Sequence, residues 1–343
     1  MATGPSLTLT SWGRRGRGAE QPTMEWFSLW LPLVSQVVVP VTLLAWLAFG
    51  SHATRARSIV VVALVATYVV AIGVAGLWLV VPWWLPFSYG AVVVWAIARR
   101  LWAGDDRTPR PRAVWELVVT VLIGALAALL IGIIGLAFAG RRPPFEPIEL
   151  AFPLRSGTYL VVNGGSEALI NAHLSTLEGE RFAPYRGQSY GVDLVRINRV
   201  GLRVQGFLPP DPAAYFIYGD PVLAPCQGRV VFAEDGAADM SPPQADRSHM
   251  VGNHVILECG GAWIVLGHMQ RGSVAVHVGQ VTESGYVLGL VGNSGNTGEP
   301  HLHIHAQRPG STIAPLSGEP MPIRFDGRYL VRNDRVRADR EGS

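Results

Sequence analysis

The distribution of charged residues along the chain separates two parts of different character. No charged residue occurs within Trp26–Gly50, Ile59–Ala98 or Leu117–Gly140, and each stretch reaches or exceeds the ~20 residues that a helix needs to cross a bilayer. The middle stretch is long enough for two crossings and is interrupted by Pro82 and Pro86. The pattern predicts an N-terminal α-helical membrane bundle of about four spans, near residues 26–50, 59–81, 84–98 and 117–139.

A second pattern begins after Arg142, where short alternating and β-branched stretches are separated by Gly, Pro, Asn and Asp. Alternation with a period of two is typical of strands that bury one face, and turn residues at this spacing favour antiparallel connections. We therefore expect a mainly antiparallel β domain. Its predicted strands include Thr158–Val162, Val192–Ile197, Arg229–Phe232, His254–Leu257, Trp263–Leu266, Val274–Val278 and Tyr286–Val291.

The two patterns divide the chain into segments. These are an N-terminal tail (1–24), a transmembrane region (25–140), a β lead-in segment (141–183), the β domain (184–310) and a C-terminal extension (311–343). A cleaved signal peptide is the alternative for the first apolar stretch, but that stretch is longer than the apolar core of a signal peptide and further apolar stretches follow it.

The arginines around the predicted spans indicate the orientation of the bundle. If the amino terminus lies outside the cytoplasm, seven of these arginines face the cytoplasm and five do not; the opposite orientation reverses the numbers. Cytoplasmic loops carry the excess of basic residues in membrane proteins. We expect a multi-pass protein of the cell membrane, in contact with the lipid bilayer, whose C-terminal domain is extracytoplasmic.

Charge and cysteine content narrow the functions of the β domain. Residues 141–343 carry 18 arginines against 20 acidic residues, a net charge of −2, so the domain lacks the basic surface of a nucleic-acid-binding protein. Both cysteines of the chain, Cys226 and Cys259, fall in this part. An extracytoplasmic location would permit a disulfide between them, and two buried free thiols are the equal alternative.

Alternating histidines directly follow a glycine-rich turn. His301, His303 and His305 come after Gly292–Gly298, and in a strand they would share one face. Neutral imidazole is the commonest protein ligand for zinc. The segment predicts a metal site, although an isolated His-x-His motif is as often an exposed strand without a chemical role.

The order and spacing of several motifs resemble the lysostaphin-like (LytM-type) zinc metalloendopeptidases, which cut peptide cross-links in bacterial peptidoglycan. The motifs are Gly191-Val192-Asp193, Leu266-Gly267-His268 and His301-Leu302-His303, with the glycine-rich turns between them. The resemblance covers residues 184–307, is most specific from Gly252 onward, and does not include the predicted membrane bundle.

The resemblance implies a β domain of LytM/lysostaphin type and a role for each motif residue. Asp193 and His303 would be zinc ligands, and His268 and His301 would be the catalytic pair. Zinc suits amide hydrolysis because it lowers the pKa of a bound water to ~7. Imidazoles that stay off the metal can exchange protons near neutral pH.

One departure from the family pattern concerns the remaining zinc ligand. The family normally places a histidine four residues before the aspartate, and Ser189 stands there in this chain. A neutral hydroxyl is a poor zinc ligand. His173, on an earlier β-like piece beside the Asp193 strand, is the preferred replacement, and a branch of the family carries a similar Asn-His element. His305 is the second candidate, but three imidazoles spread over ~13 Å of strand cannot all reach one ion.

Three functions compete at this stage. The first is a membrane-anchored zinc metalloendopeptidase that acts on peptidoglycan peptides or a related envelope peptide. The second is a degenerate domain of the same fold that regulates wall hydrolases or binds the wall, with a membrane or hydrolase protein as partner. The third is a serine hydrolase with its nucleophile elbow at Gly187–Gly191, which needs a following helix. Because Val192–Ile197 alternates as a strand does, the third has little support.

Overall fold

The computed structural model describes residues 30–50, 54–102, 114–311 and 313–339. The predicted tail 1–24 and the arginines Arg107, Arg110 and Arg112 lie outside the described residues. Within the described part, an N-terminal helical bundle precedes a mainly antiparallel β domain, as the two hydropathy patterns predict.

The bundle is built from four long helices among the described residues. They are α1 (Trp30–Phe49, with a π-helical stretch at Val34–Val38), α2 (Arg55–Ala75), α3 (Leu85–Trp102) and α4 (Val114–Ala139). By length and composition, α1, α2 and α4 can cross a membrane. Since α3 does not meet the same criteria, the predicted span near 84–98 and the total of four spans stay predictions.

The second predicted span ends earlier than the hydropathy pattern suggests. Helix α2 stops at Ala75 because Gly76 takes an extended conformation. The Trp78 indole then donates its N–H to the carbonyl of Ile72 at 3.0 Å, which also accepts the backbone N–H of Gly76 at 2.9 Å. The residues that follow, Gly76–Trp84, form a loop and not two further turns of helix.

The two ends of the bundle differ in what they contact. Arg57, near the start of α2, pairs with Glu116 of α4, and Arg99 donates to the carbonyl of Ala48 at the end of α1. At the other end, Arg332 and Asn333 of the β domain donate to carbonyls at the end of α2. The β domain therefore lies at the end of the bundle opposite to Arg57 and Arg99.

A nine-stranded antiparallel sheet forms the centre of the β domain, in the order β13-β2-β3-β10-β7-β6-β5-β8, with β11 also paired to β10. Two smaller pairs, β1 with β12 and β4 with β9, pack beside it, and the first of them is parallel. The strands are β1 (Ile148–Leu150), β2 (Gly157–Asn163), β3 (Val192–Ile197), β4 (Pro221–Leu223), β5 (Gly228–Glu234), β6 (Asn253–Cys259), β7 (Ala262–Met269), β8 (Val281–Thr282), β9 (Val287–Leu290), β10 (Leu302–Gln307), β11 (Pro320–Met321), β12 (Ile323–Phe325) and β13 (Arg335–Ala338).

The two faces of the central strands have different tasks. Val192, Leu194, Leu302 and Ile304 point into the main hydrophobic core, where each is at most 3% exposed. Successive side chains of a strand point to opposite faces, so the residues between them, Asp193 among them, project from the other face. That face carries the polar residues that the sequence singled out.

One predicted strand is wrong. Val274–Val278 alternates in hydropathy but lies in an irregular segment. The amide of Val274 is bound by the Asp235 carboxylate at 3.2 Å, and the amide of Ala275 donates to Leu288 at 2.9 Å. These two amides have their hydrogen-bond partners in separate segments, at Asp235 and Leu288. No continuous ladder to one strand forms, so the alternating segment is not a strand.

The cysteine alternatives are resolved in favour of the disulfide. Cys226 and Cys259 are joined, and Cys259 ends β6, next to the turn that leads into β7. The bond closes a loop with a sequence separation of 33 residues. Structural disulfides of this kind are typical of oxidising compartments.

Candidate metal centre

The five residues that the sequence predicted for the site converge on the polar face of the sheet. Asp193 lies on β3 directly opposite His303 on β10, with His301 immediately before β10 and His268 near the end of β7. His173 belongs to the short 3₁₀ helix Ala172–Thr176, so the prediction of a β-like piece at His173 is wrong. Among the described residues, the ligand atoms of His173, Asp193 and His303 lie within 4.8 Å of one another.

Asn171 fixes the ring of His173. The Asn171 amide nitrogen donates to the carbonyls of Gly165 (2.9 Å) and Gly191 (3.2 Å). Its oxygen therefore remains as the acceptor, and it receives the backbone N–H of His173 at 3.2 Å and the ring Nδ1–H at 3.0 Å. With Nδ1 protonated, Nε2 presents a lone pair to Asp193 Oδ2 at 3.4 Å.

A relay of hydrogen bonds along β10 fixes the ring of His303. Its last acceptor is the carbonyl of Pro315, which receives the Gln307 amide N–H at 2.7 Å. Gln307 Oε1 then accepts from His305 Nε2 at 3.3 Å, and His305 Nδ1 accepts from His303 Nε2 at 2.9 Å. Because the carbonyl of Pro315 can only accept, Gln307 must donate to it. His305 must then donate from Nε2 to Gln307, and His303 must donate from Nε2 to His305. His303 therefore presents its Nδ1 lone pair to Asp193 Oδ1 at 2.8 Å.

His268 and His301 are anchored in the same way. His268 Nδ1 donates to the carbonyl of Ser294 at 2.8 Å, and His301 Nδ1 donates to the carbonyl of Glu299 at 2.9 Å. Their ring centroids are 4.7 Å apart. Both rings consequently direct an unprotonated Nε2 away from their anchors, and that of His301 lies 3.6 Å from Asp193 Oδ1.

The donor set fits a divalent cation. Lone pairs of His173 and His303 face a carboxylate with no proton between them, and such acceptors attract one another only through a shared cation or proton. Ligating histidines typically donate their second ring N–H to a carbonyl, amide or similar acceptor, and both do so. Two imidazoles and one carboxylate form the three-residue set of catalytic zinc sites.

Burial sets the charge state of the cluster. It lowers the pKa of His173 to about 4 and that of His268 well below its usual value. Burial alone would raise the pKa of Asp193, but the surrounding histidines, His173 first, hold it well below its usual range. At neutral pH the Asp193 carboxylate therefore faces a neutral His173 imidazole, and a deprotonated carboxylate with a neutral imidazole is the pair that binds metal.

The backbone of Gly191 lies close to the rings of His303 and His173. A Cβ atom at Gly191 would lie 2.8 Å from His303 Cε1 and 3.4 Å from His173 Nδ1. The same Cβ would lie 2.9 Å from the carbonyl oxygen of Gln188, so a side chain here would displace the His303 ring or the Gln188 backbone.

Two alternative roles for sequence-predicted residues are not supported by their surroundings. His305 does not reach Asp193, because its Nδ1 is occupied by His303. Ser189 is fully buried in the 3₁₀ helix Glu180–Tyr190, ahead of a strand, and its hydroxyl donates to the carbonyl of Arg186 at 2.7 Å. This order is the reverse of the strand, turn and helix of a nucleophile elbow.

The residues that support Asp193 are not among those that the sequence predicts for the site. Asn163 of β2 is its neighbour across the sheet and donates from Nδ2 to Asp193 Oδ2 at 2.8 Å. Arg332, near the end of the chain, donates to Asn163 Oδ1 at 2.8 Å. The strand register could have suggested Asn163, but no local signal in the sequence relates Arg332 to this site.

Sequence comparison places part of the β domain in a known family. Residues 214–315 match the model of peptidase family M23 and form a domain of that family, as the motif resemblance predicted. The match contains His268, His301 and His303 and begins after Asp193. No curated protein matches the chain.

Several solved structures are similar to part of the chain. The catalytic domain of lysostaphin from Staphylococcus simulans is 22% identical, with 37% of this chain and 71% of that chain covered and a TM-score of 0.24. The catalytic domain of the prophage-encoded M23 protein EnpA from Enterococcus faecalis is 20% identical, with 35% and 68% covered and a TM-score of 0.24. A zinc-containing peptidase from Vibrio cholerae is 20% identical over 34% of this chain and 26% of its own length, with a TM-score of 0.22.

Proposed function

We propose that the protein is a membrane-anchored zinc metalloendopeptidase that hydrolyses peptide bonds in peptidoglycan or a related envelope peptide. The observation that carries the proposal is the convergence of ring lone pairs on the Asp193 carboxylate. A domain without a metal has no physical reason to direct buried acceptors at one another, since unpaired buried polar groups are costly. The M23 family match and the reaction of lysostaphin-like enzymes support the substrate class.

In this proposal His173, Asp193 and His303 hold the zinc ion. His173 takes the place of the histidine that the family normally has where this chain has Ser189. When bound, zinc supplies a strong nucleophile by lowering the pKa of water and polarises the peptide carbonyl.

In the proposed mechanism His268 and His301 transfer protons. Each directs an unprotonated Nε2 away from an anchored Nδ1–H, so each can accept a proton from the attacking water. The imidazolium formed can donate that proton to the leaving amine or to the developing oxyanion. The anchors prevent the rings from turning, which keeps the accepting nitrogen in place during both transfers.

The location proposed for the domain is outside the cytoplasm. The arginines Arg57 and Arg99 lie at the bundle end opposite to the β domain, and an excess of basic residues is typical of the cytoplasmic side. The disulfide Cys226–Cys259 is compatible with an oxidising compartment. The bilayer would then hold the peptidase domain next to the envelope polymer.

The first test is the metal content of the full-length protein, purified in detergent, beside His173→Ala and His303→Ala. His277→Ala, at an exposed histidine, is the matched control. We expect about one zinc per chain in the parent and in the control, and little in the other two variants. Zinc-loaded parent protein should release peptides from purified peptidoglycan, and His301→Ala should not.

Three results would contradict the proposal. A parent protein that binds no zinc after reconstitution would favour the metal-free regulator of wall hydrolases. Zinc binding without cleavage of any wall peptide would favour a metal-containing binding module. A reporter fused after Ser343 that is active only in the cytoplasm would exclude peptidoglycan as the substrate.

A further inference from the structure

Arg203 connects the peptidase centre to the membrane bundle. It lies between β3 and β4 and is 6% exposed. Its Nε and Nη2 donate to the two carboxylate oxygens of Glu299, at 2.7 and 2.5 Å, and its Nη1 donates to the carbonyl of Leu79. A guanidinium that is held by a bidentate carboxylate and a carbonyl has little freedom to move.

Glu299 in turn holds the catalytic candidate His301. The backbone carbonyl of Glu299 accepts His301 Nδ1–H at 2.9 Å, and Thr297 Oγ1 donates to the same carbonyl at 2.7 Å. The carboxylate and the carbonyl belong to one residue, so the position of the Glu299 side chain constrains the direction of the His301 ring. Arg203 therefore constrains the His301 ring indirectly, through Glu299.

Leu79 belongs to the loop Gly76–Trp84, which joins α2 to α3. The Trp84 indole donates to the carbonyl of Val200 at 2.9 Å, and the guanidinium of Arg335 lies over the Trp83 ring. Apolar side chains of the loop pack on β2 and β3, with Leu77, Leu79 and Trp83 against Leu160, Val162, Val195 and Ile197. The loop carbonyl that receives Arg203 is therefore fixed relative to β3, the strand of Asp193.

We propose that Arg203 is a positioning residue for His301 and that the bundle loop completes its binding site through the Leu79 carbonyl. The membrane bundle is then a structural part of the peptidase centre and not only an anchor. The inference rests on the proposed function to the extent that His301 acts on the substrate. Neither Arg203 nor Glu299 forms a hydrogen bond with His173, Asp193 or His303 among the described contacts, so metal binding is not part of it.

The test compares variants of the full-length protein in lipid nanodiscs. Arg203→Lys removes the fork but keeps the charge, Glu299→Gln removes the carboxylate, and Trp83→Ala loosens the loop. Trp95→Ala, at a half-exposed position of α3, is the matched control. The measurements are zinc content, kcat and KM on a wall peptide, and hydrogen–deuterium exchange of residues 297–301.

We expect the first three variants to keep their zinc and to lose roughly ten- to a hundred-fold in kcat, the effect of a small misplacement of a catalytic group. KM should change little, residues 297–301 should exchange faster, and Trp95→Ala should match the parent. A Glu299→Asp variant, which keeps a carboxylate, should recover part of the loss. If Arg203→Lys does not fold, Glu299→Gln and Trp83→Ala carry the comparison.

Two outcomes separate this inference from the proposed function. Folded, zinc-loaded Arg203→Lys and Trp83→Ala with the parent's kcat would overturn the positioning role while the peptidase assignment stands. If the parent cleaves no wall peptide, the peptidase assignment fails. The exchange data alone then test whether the bundle loop positions residues 297–301. Faster exchange at 297–301 in Trp83→Ala then supports the connection between loop and centre, and unchanged exchange overturns it.

Discussion

The hydroxyl groups of Thr176 and Ser189 lie 3.0 Å apart and connect two 3₁₀ helices of the β domain. Thr176 Oγ1 also lies 2.7 Å from the carbonyl oxygen of His173. The residue that occupies the usual position of a zinc ligand therefore supports the helix that carries the proposed replacement ligand. Ser189, in the usual ligand position, and His173, the proposed replacement ligand, are therefore structurally connected.

Ser189→Ala should weaken zinc binding without removing a ligand. Loss of the contacts to Thr176 and Arg186 frees the helix of His173, and supporting residues of this kind typically contribute ten- to a hundred-fold in metal affinity. We expect about a ten-fold rise in the Kd for zinc, measured by chelator competition, and a loss of about 1 kcal/mol in stability. Ser273→Ala, which removes a similar hydroxyl contact to Gln270, is the control. An unchanged Kd would show that Ser189 does not support His173.

Gly191→Ala should displace the metal ligands by steric contact alone. The φ angle of Gly191 is −61°, which suits alanine, so backbone strain does not contribute. The added Cβ at 2.8 Å from His303 Cε1 must push the ring away from Asp193, and we expect most of the zinc to be lost. Gly132→Ala in α4, where a Cβ meets no atom within 4 Å, is the control. Full zinc content in Gly191→Ala would contradict the proposed ligand set.

His305→Leu should lower zinc affinity although His305 is not a ligand. Without the acceptor at His305 Nδ1, His303 Nε2 loses the partner that keeps its proton in place, and we expect a ten- to a hundred-fold rise in Kd. His305→Gln, which offers an amide oxygen, should recover part of the affinity. His254→Leu, at another buried histidine, is the control for loss of an imidazole. Equal affinities in the two leucine variants would refute the role of the relay.

Acidification should destabilise the folded protein, in part through His254. Burial lowers the pKa of His254 in the folded state, and its Nε2 has no hydrogen-bond partner among the described residues. The unfolded state therefore binds a proton that the folded state does not, so stability is greatest above the ordinary histidine pKa of ~6.5 and falls as the pH drops below it. His254→Phe should reduce this slope by up to ~1.4 kcal/mol per pH unit.

Thermal unfolding of the parent and of His254→Phe between pH 7 and pH 5 checks this prediction. Because both proteins carry the same metal site, the difference between their slopes isolates His254. Parallel slopes would mean that His254 takes up its proton in the folded state as readily as in the unfolded state.

Much of the β domain could be predicted from hydropathy alone, because its strands bury one face. Val192–Ile197 is predicted and observed with the same limits, since the period of two records which residues meet the core. At Val274–Val278 the same period predicts a strand that does not form, because the backbone hydrogen-bond partners come from separate segments. Helix α3 presents the opposite difficulty, because its polar and apolar residues do not settle whether it crosses a membrane.

The predicted site residues were found by motif, and their supporting residues were not. The roles of His173, Asp193, His268, His301 and His303 stay a proposal, but the structure brings all five together. Arg203 and Glu299 are 96 residues apart in the sequence, and nothing in either local segment relates them. Contacts of this range depend on the tertiary packing of loops, which leaves no periodic pattern to read.

The distance along the chain between the paired strands β3 and β10 determines when the centre can form. Asp193 is separated from His303 by 110 residues, and β2, beside β3, is closed on its outer side by β13. During synthesis from the amino terminus, the strand of Asp193 therefore has β2 as a neighbour at once, but its other partner, β10, is made only about 110 residues later. Because its residues lie on both β3 and β10, the candidate metal centre can assemble only after the helical bundle and most of the β domain have been synthesised.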